Sequence, residues 1–191
     1  MKKILTIVLL LALAFSFSSC SLGAMSDSEA AAIIAENCEK ARELEEIVYG
    51  AGLPLAFPEE DTGEWKAAHH VEVAQDCGYS SVDEIKALGA VFSSERRSEM
   101  WTYAFEGTED YLSRYSVNSS GKLTRDVSID AMGLVLEIYP ETAKVKAGNK
   151  YSAEVEVEAR RKGLSGEEER YKKTLRLIIE DGKWVFDCAV Y

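Results

Sequence analysis

The residues best suited to metal chemistry are two adjacent histidines, His69 and His70, the only histidines in the chain of 191 residues. They fall within Glu64–Cys77, which the sequence predicts to be a helix ended by Gly78. Adjacent residues on a helix diverge by about 100°, so the two imidazoles cannot bind one ion together. No cluster of cysteine, histidine and aspartate completes a site. We therefore predict one exposed and one packed histidine, no metal site and no cofactor.

Carboxylates are abundant, with 33 aspartates and glutamates in the chain. Asp126, Asp130 and Glu137 lie in or beside predicted strands, where inward-pointing acids could serve in general acid–base catalysis. With so many acids, such placements are also expected by coincidence. The chain has no glycine-rich phosphate loop and no HExxH, GxSxG or CxxC motif. We predict that the protein is not an enzyme.

Three cysteines lie in the body of the chain. Cys38 and Cys77 each fall on the apolar stripe of a predicted helix, and Cys188 on the inward face of the last predicted strand. Two readings are open for the helical pair: a Cys38–Cys77 disulfide, or two buried free thiols. Cys188 is predicted to be a small buried hydrophobe.

The formal net charge is −11. An acidic chain without a basic stripe of interleaved aromatics has no electrostatic basis for binding nucleic acid, which excludes that class of function. The same charge favours a basic protein partner.

The first twenty residues have the pattern of a targeting leader. Met1-Lys2-Lys3 is positively charged, and Ile4–Phe17 is an apolar run too short to span a bilayer comfortably. The following Phe17-Ser18-Ser19-Cys20 resembles the lipobox of bacterial lipoproteins, although Phe17 stands where that family usually has leucine. The resemblance implies a signal peptide over residues 1–19 and an acylated Cys20 with a short tether over 20–26. The domain, 27–191, would be extracytoplasmic and lipid-anchored to the cell membrane. The alternative is an ordinary secretory leader with an incidental cysteine.

Helices are predicted over residues 27–106. Ser26 and Ser81 each precede a glutamate by three residues, which is the capping-box pattern, and Ser93 caps a further helix that ends at Gly107.

Antiparallel strands are predicted over residues 111–191. Tyr111–Val117 and Lys122–Ile129 flank Asn118–Gly121 and are predicted to form a hairpin. Leu134–Tyr139 is predicted to be a strand closed by Pro140, and Lys183–Tyr191 to be the last strand.

The strands after Gly148 carry the clearest signals. Tyr151–Ala159 alternates apolar and polar residues, and Asp181-Gly182 between two further strands is the strongest short hairpin signal. That turn places Glu180 opposite Lys183, Leu177 opposite Phe186 and Arg176 opposite Asp187. Helices first and antiparallel strands last predict an α+β fold, with N-terminal helices packed on a bent antiparallel sheet.

Two loops are candidate binding surfaces. Leu53, Leu55 and Phe57 lie beside Pro54 and Pro58, and they either form a stiffened binding epitope or fold back over the core. The loop Arg160–Arg170, which includes Arg161 and Leu164, is predicted to protrude as a hairpin tip. It would either touch a partner or form a solvated, salt-bridged tip.

The order of helices and meander looks like the cystatin-like and NTF2-like architectures, and Ile178–Asp187 is similar to the end of many NTF2-like domains. Tyr79–Lys86, Glu99–Phe105 and the segments Arg114-Tyr115 and Ser120–Leu123 resemble the IseA-type DL-endopeptidase inhibitors of Gram-positive bacteria. The likeness covers about residues 79–191. It implies an envelope domain that blocks D,L-endopeptidases cutting the stem peptides of peptidoglycan.

Two functions therefore compete. One is a tethered protein-binding module that inhibits or regulates cell-wall hydrolases. The other is an NTF2-like pocket protein for a small ligand, whose polar groups would include Asp126, Asp130, Glu137 and Tyr139. A structural envelope lipoprotein without a partner is a third reading. A pocket with convergent acids would favour the second function, and a filled core with a protruding loop 160–170 the first.

Overall fold

The computed structural model describes residues 24–56, 69–109, 112–129, 136–162 and 167–190. These residues form three α-helices and two antiparallel sheets, which confirms the predicted α+β class. The leader with Cys20, the residues Phe57 and Asp130, and the loop residue Leu164 lie outside the described residues.

Helix α1 runs over Asp27–Val48 and begins as predicted. Ser26 accepts a hydrogen bond from the Glu29 backbone N–H (3.2 Å), and the Glu29 carboxylate reaches back to the Ser26 N–H, which completes the capping box. The buried stripe includes Ala30, Ile34 and Leu44, each with no exposed surface. The apolar spacing in the sequence therefore identifies the buried face of α1.

Two short helices follow. Helix α2 spans Val82–Ala87 with the predicted capping box at Ser81 and leads into a 3₁₀ turn over Leu88–Val91. Helix α3 spans Ser94–Trp101 with Ser93 as its N-cap, and a π-helical turn, Thr102–Glu106, extends it. Gly107 ends this segment with φ +72°, a conformation that glycine adopts without strain.

The larger sheet is made of strands β4 (Leu136–Gly148), β5 (Ser152–Lys162), β6 (Glu168–Glu180) and β7 (Lys183–Phe186), which lie side by side in that order. Asp181 and Gly182 both have positive φ, 52° and 76°, as a type I′ turn requires. The predicted pairs Glu180↔Lys183 and Leu177↔Phe186 form, and the Asp187 N–H donates to the Arg176 carbonyl (2.8 Å).

Two strand ends differ from the prediction. Pro140 does not close the strand as predicted but lies inside β4. A proline is tolerated there because β4 is an edge strand and its register shifts between Tyr139 and Lys144. The Thr142 hydroxyl accepts from the Glu158 N–H (2.8 Å) at this bulge. At the C-terminus, β7 ends at Phe186, short of the predicted strand end: Asp187 still bonds to Arg176 of β6, but the Val190 N–H bonds to Glu45 of α1.

The smaller sheet is made of β1 (His70–Glu72), β2 (Tyr115–Val117) and β3 (Leu123–Asp126), with β3 in the middle. The predicted hairpin around Asn118–Gly121 is therefore correct. The predicted helix Glu64–Cys77 is wrong over residues 69–77, which form β1 and turns; residues 57–68 lie outside the description. Val71 and Val73 alternate with polar residues, and a period of two is the pattern of a strand. This strand, β1, pairs with β3.

The core lies between α1 and the inner face of the larger sheet. That face carries Ala153, Val155, Val157, Leu175 and Leu177, none more than 1% exposed. Helix α1 packs mainly against β4 and the 3₁₀ turn. The core is thus filled by apolar side chains from both halves of the chain.

Candidate binding surface and a polar cluster

The end of the larger sheet that carries the predicted loop extends beyond the core. Strands β5 and β6 stay paired out to Lys162↔Glu168, while Arg160 and Arg161, which follow the buried Ala159, are partly or largely exposed. We call residues 137–139, 158–161 and 168–172 the arginine–tyrosine ribbon. Its exposed side chains belong to three adjacent strands, which hold them at fixed spacing.

Ion pairs cross the ribbon. Arg160 bonds to Glu137 and, through Nη1, to Glu168 Oε2 at 2.8 Å; Arg161 Nη2 lies 2.6 Å from Glu169 Oε2. The hydroxyl of Tyr139 and the Arg160 guanidinium lower the pKa of Glu137 by hydrogen bonding to its charged form. Exposed pairs of this kind add little to the free energy of folding, so their effect is to orient the arginines.

Two arginines stack on tyrosine rings. The Arg170 guanidinium lies 4.9 Å from the centroid of Tyr139, and that of Arg161 lies 5.5 Å from the centroid of Tyr171. Both distances are within cation–π range. Tyrosine and arginine are the side chains enriched at protein interfaces, and holding them in place beforehand reduces the entropy lost on binding. Arg161, which the sequence analysis offers as a binding residue, is thus one of the two stacked arginines.

The other predicted surface is largely withdrawn from solvent. Leu53 is 4% exposed, so it belongs to the core and not to a binding epitope. Leu55 is half-buried and forms a β-bridge with Val73. The alternative in which this segment folds back over the core is correct for Leu53, because the Tyr115 hydroxyl accepts from its N–H (2.9 Å) and Arg125 Nη1 donates to its carbonyl (2.7 Å).

A buried clamp that the sequence analysis missed holds the turn after α1. Arg114, 1% exposed, donates through Nη2 to the Gly50 carbonyl, and Tyr115 donates to the Ile47 carbonyl (3.0 Å). Arg125 donates to Ala51 as well as to Leu53. Burial lowers the pKa of Arg125 and raises that of Tyr115. The clamp satisfies carbonyls at the C-terminal end of the helix, where they lack intrahelical partners.

A polar cluster occupies the opposite face of the smaller sheet. The Ser116 hydroxyl lies 3.2 Å from His70 Nδ1 and 2.8 Å from the Thr124 hydroxyl. Asp126, 2% exposed, lies across from His70 with 3.9 Å between Oδ2 and Nε2. That distance is too long for the hydrogen bond that orients a catalytic histidine. The alternation of His70, Val71, Glu72 and Val73 was the signal that could have placed this histidine on a strand.

The acids proposed for a ligand pocket do not converge among the described residues. Asp126 is buried in the smaller sheet, whereas Glu137 and Tyr139 lie on the exposed ribbon, where Tyr139 donates to Glu137 (3.1 Å). Asp130 falls outside the description.

All three cysteines described in the structure are free thiols, so the predicted Cys38–Cys77 disulfide is not formed there. Cys77 lies in a turn after β1 and donates to the Tyr79 carbonyl (3.1 Å), while Cys38 faces its own helix at Ala35. The pairing relied on a second helix that does not form over residues 69–77. Burial raises the pKa of Cys38 and of Cys188, as expected for unreactive thiols.

Within the described ranges, no group of three or more histidine, cysteine or acidic side chains is arranged to hold a metal ion. Over the same ranges, no helix is long and apolar enough to cross a membrane. No protein-family model and no curated protein matches the chain.

Proposed function

We propose that the chain is a membrane-tethered extracytoplasmic binding module that inhibits or regulates peptidoglycan D,L-endopeptidases. Its tether would be the acylated Cys20, and its partner a basic cell-wall hydrolase. The alternative is a small-ligand protein of the NTF2-like kind.

One observation supports the binding module over the ligand protein. The inner face of the larger sheet, where an NTF2-like pocket would open, is filled by Val155, Val157, Leu175 and Leu177 beneath α1. With this face filled, recognition of a partner would fall to the outer surface of the domain.

The arginine–tyrosine ribbon is the best candidate for that surface. It carries two stacks beyond the core, Arg170 on Tyr139 and Arg161 on Tyr171. By the strand register the two stacks lie on opposite faces of the sheet, so a partner that touches both would enclose this end of the sheet. The net charge of −11 would accelerate encounter with a basic hydrolase, while the ribbon would supply the short-range contacts.

The test is a titration of the full-length chain, in mild detergent, into muropeptide digestion by a purified D,L-endopeptidase from the same organism. We expect stoichiometric loss of cleavage, with detergent alone as the control. Undiminished cleavage, together with no complex on a sizing column, would refute the proposal for that hydrolase and favour the small-ligand alternative.

A pair of variants locates the contact surface. Replacing both Arg161 and Arg170 by alanine removes the two stacked guanidinium groups, and we expect affinity to fall at least about tenfold, or ~1.4 kcal/mol. Tyr151→Ala is the matched control, because Tyr151 is 61% exposed but precedes the opposite end of β5. Equal affinity for the wild type and the double variant would exclude the ribbon as the contact.

A further inference from the structure

His70 and Asp126 form a cross-strand pair whose inner atoms face each other without a hydrogen bond. Nε2 of His70 and Oδ2 of Asp126 are 3.9 Å apart, and the two side chains are 28% and 1% exposed. Among the described residues, Asp126 Oδ2 has no hydrogen-bond partner. A buried carboxylate oxygen in that condition costs free energy, so its presence calls for an explanation.

The outer atoms of the same two side chains are held firmly. Asp126 Oδ1 accepts from the Ser128 N–H (2.8 Å) and the Ser128 hydroxyl (2.6 Å). His70 Nδ1 lies 3.2 Å from the Ser116 hydroxyl and 3.4 Å from that of Thr124. These hydroxyls can donate or accept, so they hold either tautomer of the ring: with the proton on Nε2 the ring faces the carboxylate as a donor, and with the proton on Nδ1 it presents a lone pair. In the second tautomer two acceptor atoms face each other, an arrangement that a cation between them stabilises.

The distance decides which cation fits. A shared proton needs a nitrogen–oxygen separation of about 2.7–3.2 Å, and 3.9 Å exceeds it. Zinc binds imidazole nitrogen and carboxylate oxygen at about 2.0–2.2 Å each, so two such ligands are roughly 3.4 Å apart at the tetrahedral angle and at most ~4.3 Å apart. The observed distance lies within that span.

We propose that His70 Nε2 and Asp126 Oδ2 bind a divalent transition-metal ion, with Zn²⁺ the best match to one nitrogen and one oxygen ligand. Ser116, Thr124 and Ser128 form the outer shell of hydrogen bonds that orients metal ligands. The partly exposed imidazole provides the entry path. Water completes the coordination, so the site exchanges its ion with solvent.

The test is calorimetric titration of Zn²⁺ into the full-length chain. We expect one saturable site that is lost in His70→Ala and in Asp126→Asn. His69→Ala, at the exposed neighbouring histidine, is the matched control and should bind as the wild type does. Ser116→Ala removes one outer-shell partner and should weaken binding by about tenfold.

Thiols are the competing zinc ligands, and Co²⁺ in place of Zn²⁺ distinguishes them through thiolate charge-transfer absorption. We expect no such band, because the site is made of nitrogen and oxygen. The proposal is overturned by no saturable binding to the wild type, by a thiolate band, or by binding that survives His70→Ala. That variant alters a partly exposed side chain, so it decides the question even if Asp126→Asn unfolds.

Discussion

At the scale of single residues, the turn after α1 depends on a glycine. Gly52 has φ +73°, and a Cβ atom there would lie 2.8 Å from Arg125 Nη1 and from the Tyr115 hydroxyl, and 2.9 Å from Arg114 Nη2. These three groups cannot easily withdraw, because the two arginines are hydrogen-bonded to carbonyls of this turn and Tyr115 to the Ile47 carbonyl at the end of α1. Gly52 therefore provides both the backbone conformation and the space for the clamp.

We expect Gly52→Ala to destabilise the fold by about 3 kcal/mol, of which ~1 kcal/mol comes from the left-handed backbone and the rest from displacing the clamp. Gly121→Ala is the matched control: its φ is +76°, but no atom lies within 4 Å of the added Cβ. Urea denaturation measures both. Equal losses of unfolding free energy in the two variants would contradict this prediction, because they would show that the clamp rearranges around the added methyl group without destabilising the fold.

The sequence does not predict this clamp, because its hydrogen-bonding partners are far apart in the chain. Arg114 and Arg125 are separated from their carbonyl partners by 64 and 74 positions in the chain. In the sequence each is an ordinary charged residue near a short strand, and charged residues are exposed unless something specific pairs with them.

At the scale of elements, Glu45 joins three parts of the fold. Located on α1, it accepts hydrogen bonds from the Val190 N–H through both carboxylate oxygens (3.1 Å each) and lies 3.5 Å from Arg96 Nη2 of α3. Burial raises the pKa of Glu45 to about 7, although Val190 and Arg96 act in the opposite direction. The C-terminal segment and α3 are thus both held by one buried carboxyl group of α1.

This anchor predicts a pH dependence of folding. Folding raises the pKa of Glu45 from 4.5 to about 7, so its contribution is complete below about pH 4.5 and is lost as the pH rises through about 7. The loss is about 3 kcal/mol. In urea denaturation between pH 5 and pH 8, Glu45→Gln should remove most of this slope, since the amide is neutral throughout.

Glu36→Gln is the control for that experiment, because Glu36 is an exposed acid on the same helix. A slope that persists in Glu45→Gln, or disappears in Glu36→Gln, would contradict the assignment to Glu45.

Local signals predicted most elements well. The capping boxes at Ser26 and Ser81 and the Asp181-Gly182 turn depend on residues no more than three positions apart, and all three form. The helix predicted over residues 69–77 is wrong because the apolar residues there fit both the helical and the strand period. Pairing with β3, which is remote in sequence, selected the strand.

At the scale of the whole molecule, the anchor at Cys20 remains a prediction from the leader. We expect a fatty-acid analogue fed to cells to label the wild-type chain but not Cys20→Ser, and the mature protein to begin at an acylated Cys20. Cys38→Ser is the control and should be labelled normally, because Cys38 lies within α1. Labelling of Cys20→Ser, or a mature N-terminus elsewhere, would indicate an ordinary secretory leader.

The sequence by itself determined the α+β class, the N-caps of the helices and the register of β6 with β7, because these follow from periodicity and from contacts within one turn. Only the tertiary structure decided that Leu53 is buried, that His70 lies opposite Asp126, and that arginines and tyrosines stack along one end of the larger sheet. Each of these depends on strand pairing between distant segments, which the burial of a shared core selects and no local pattern encodes.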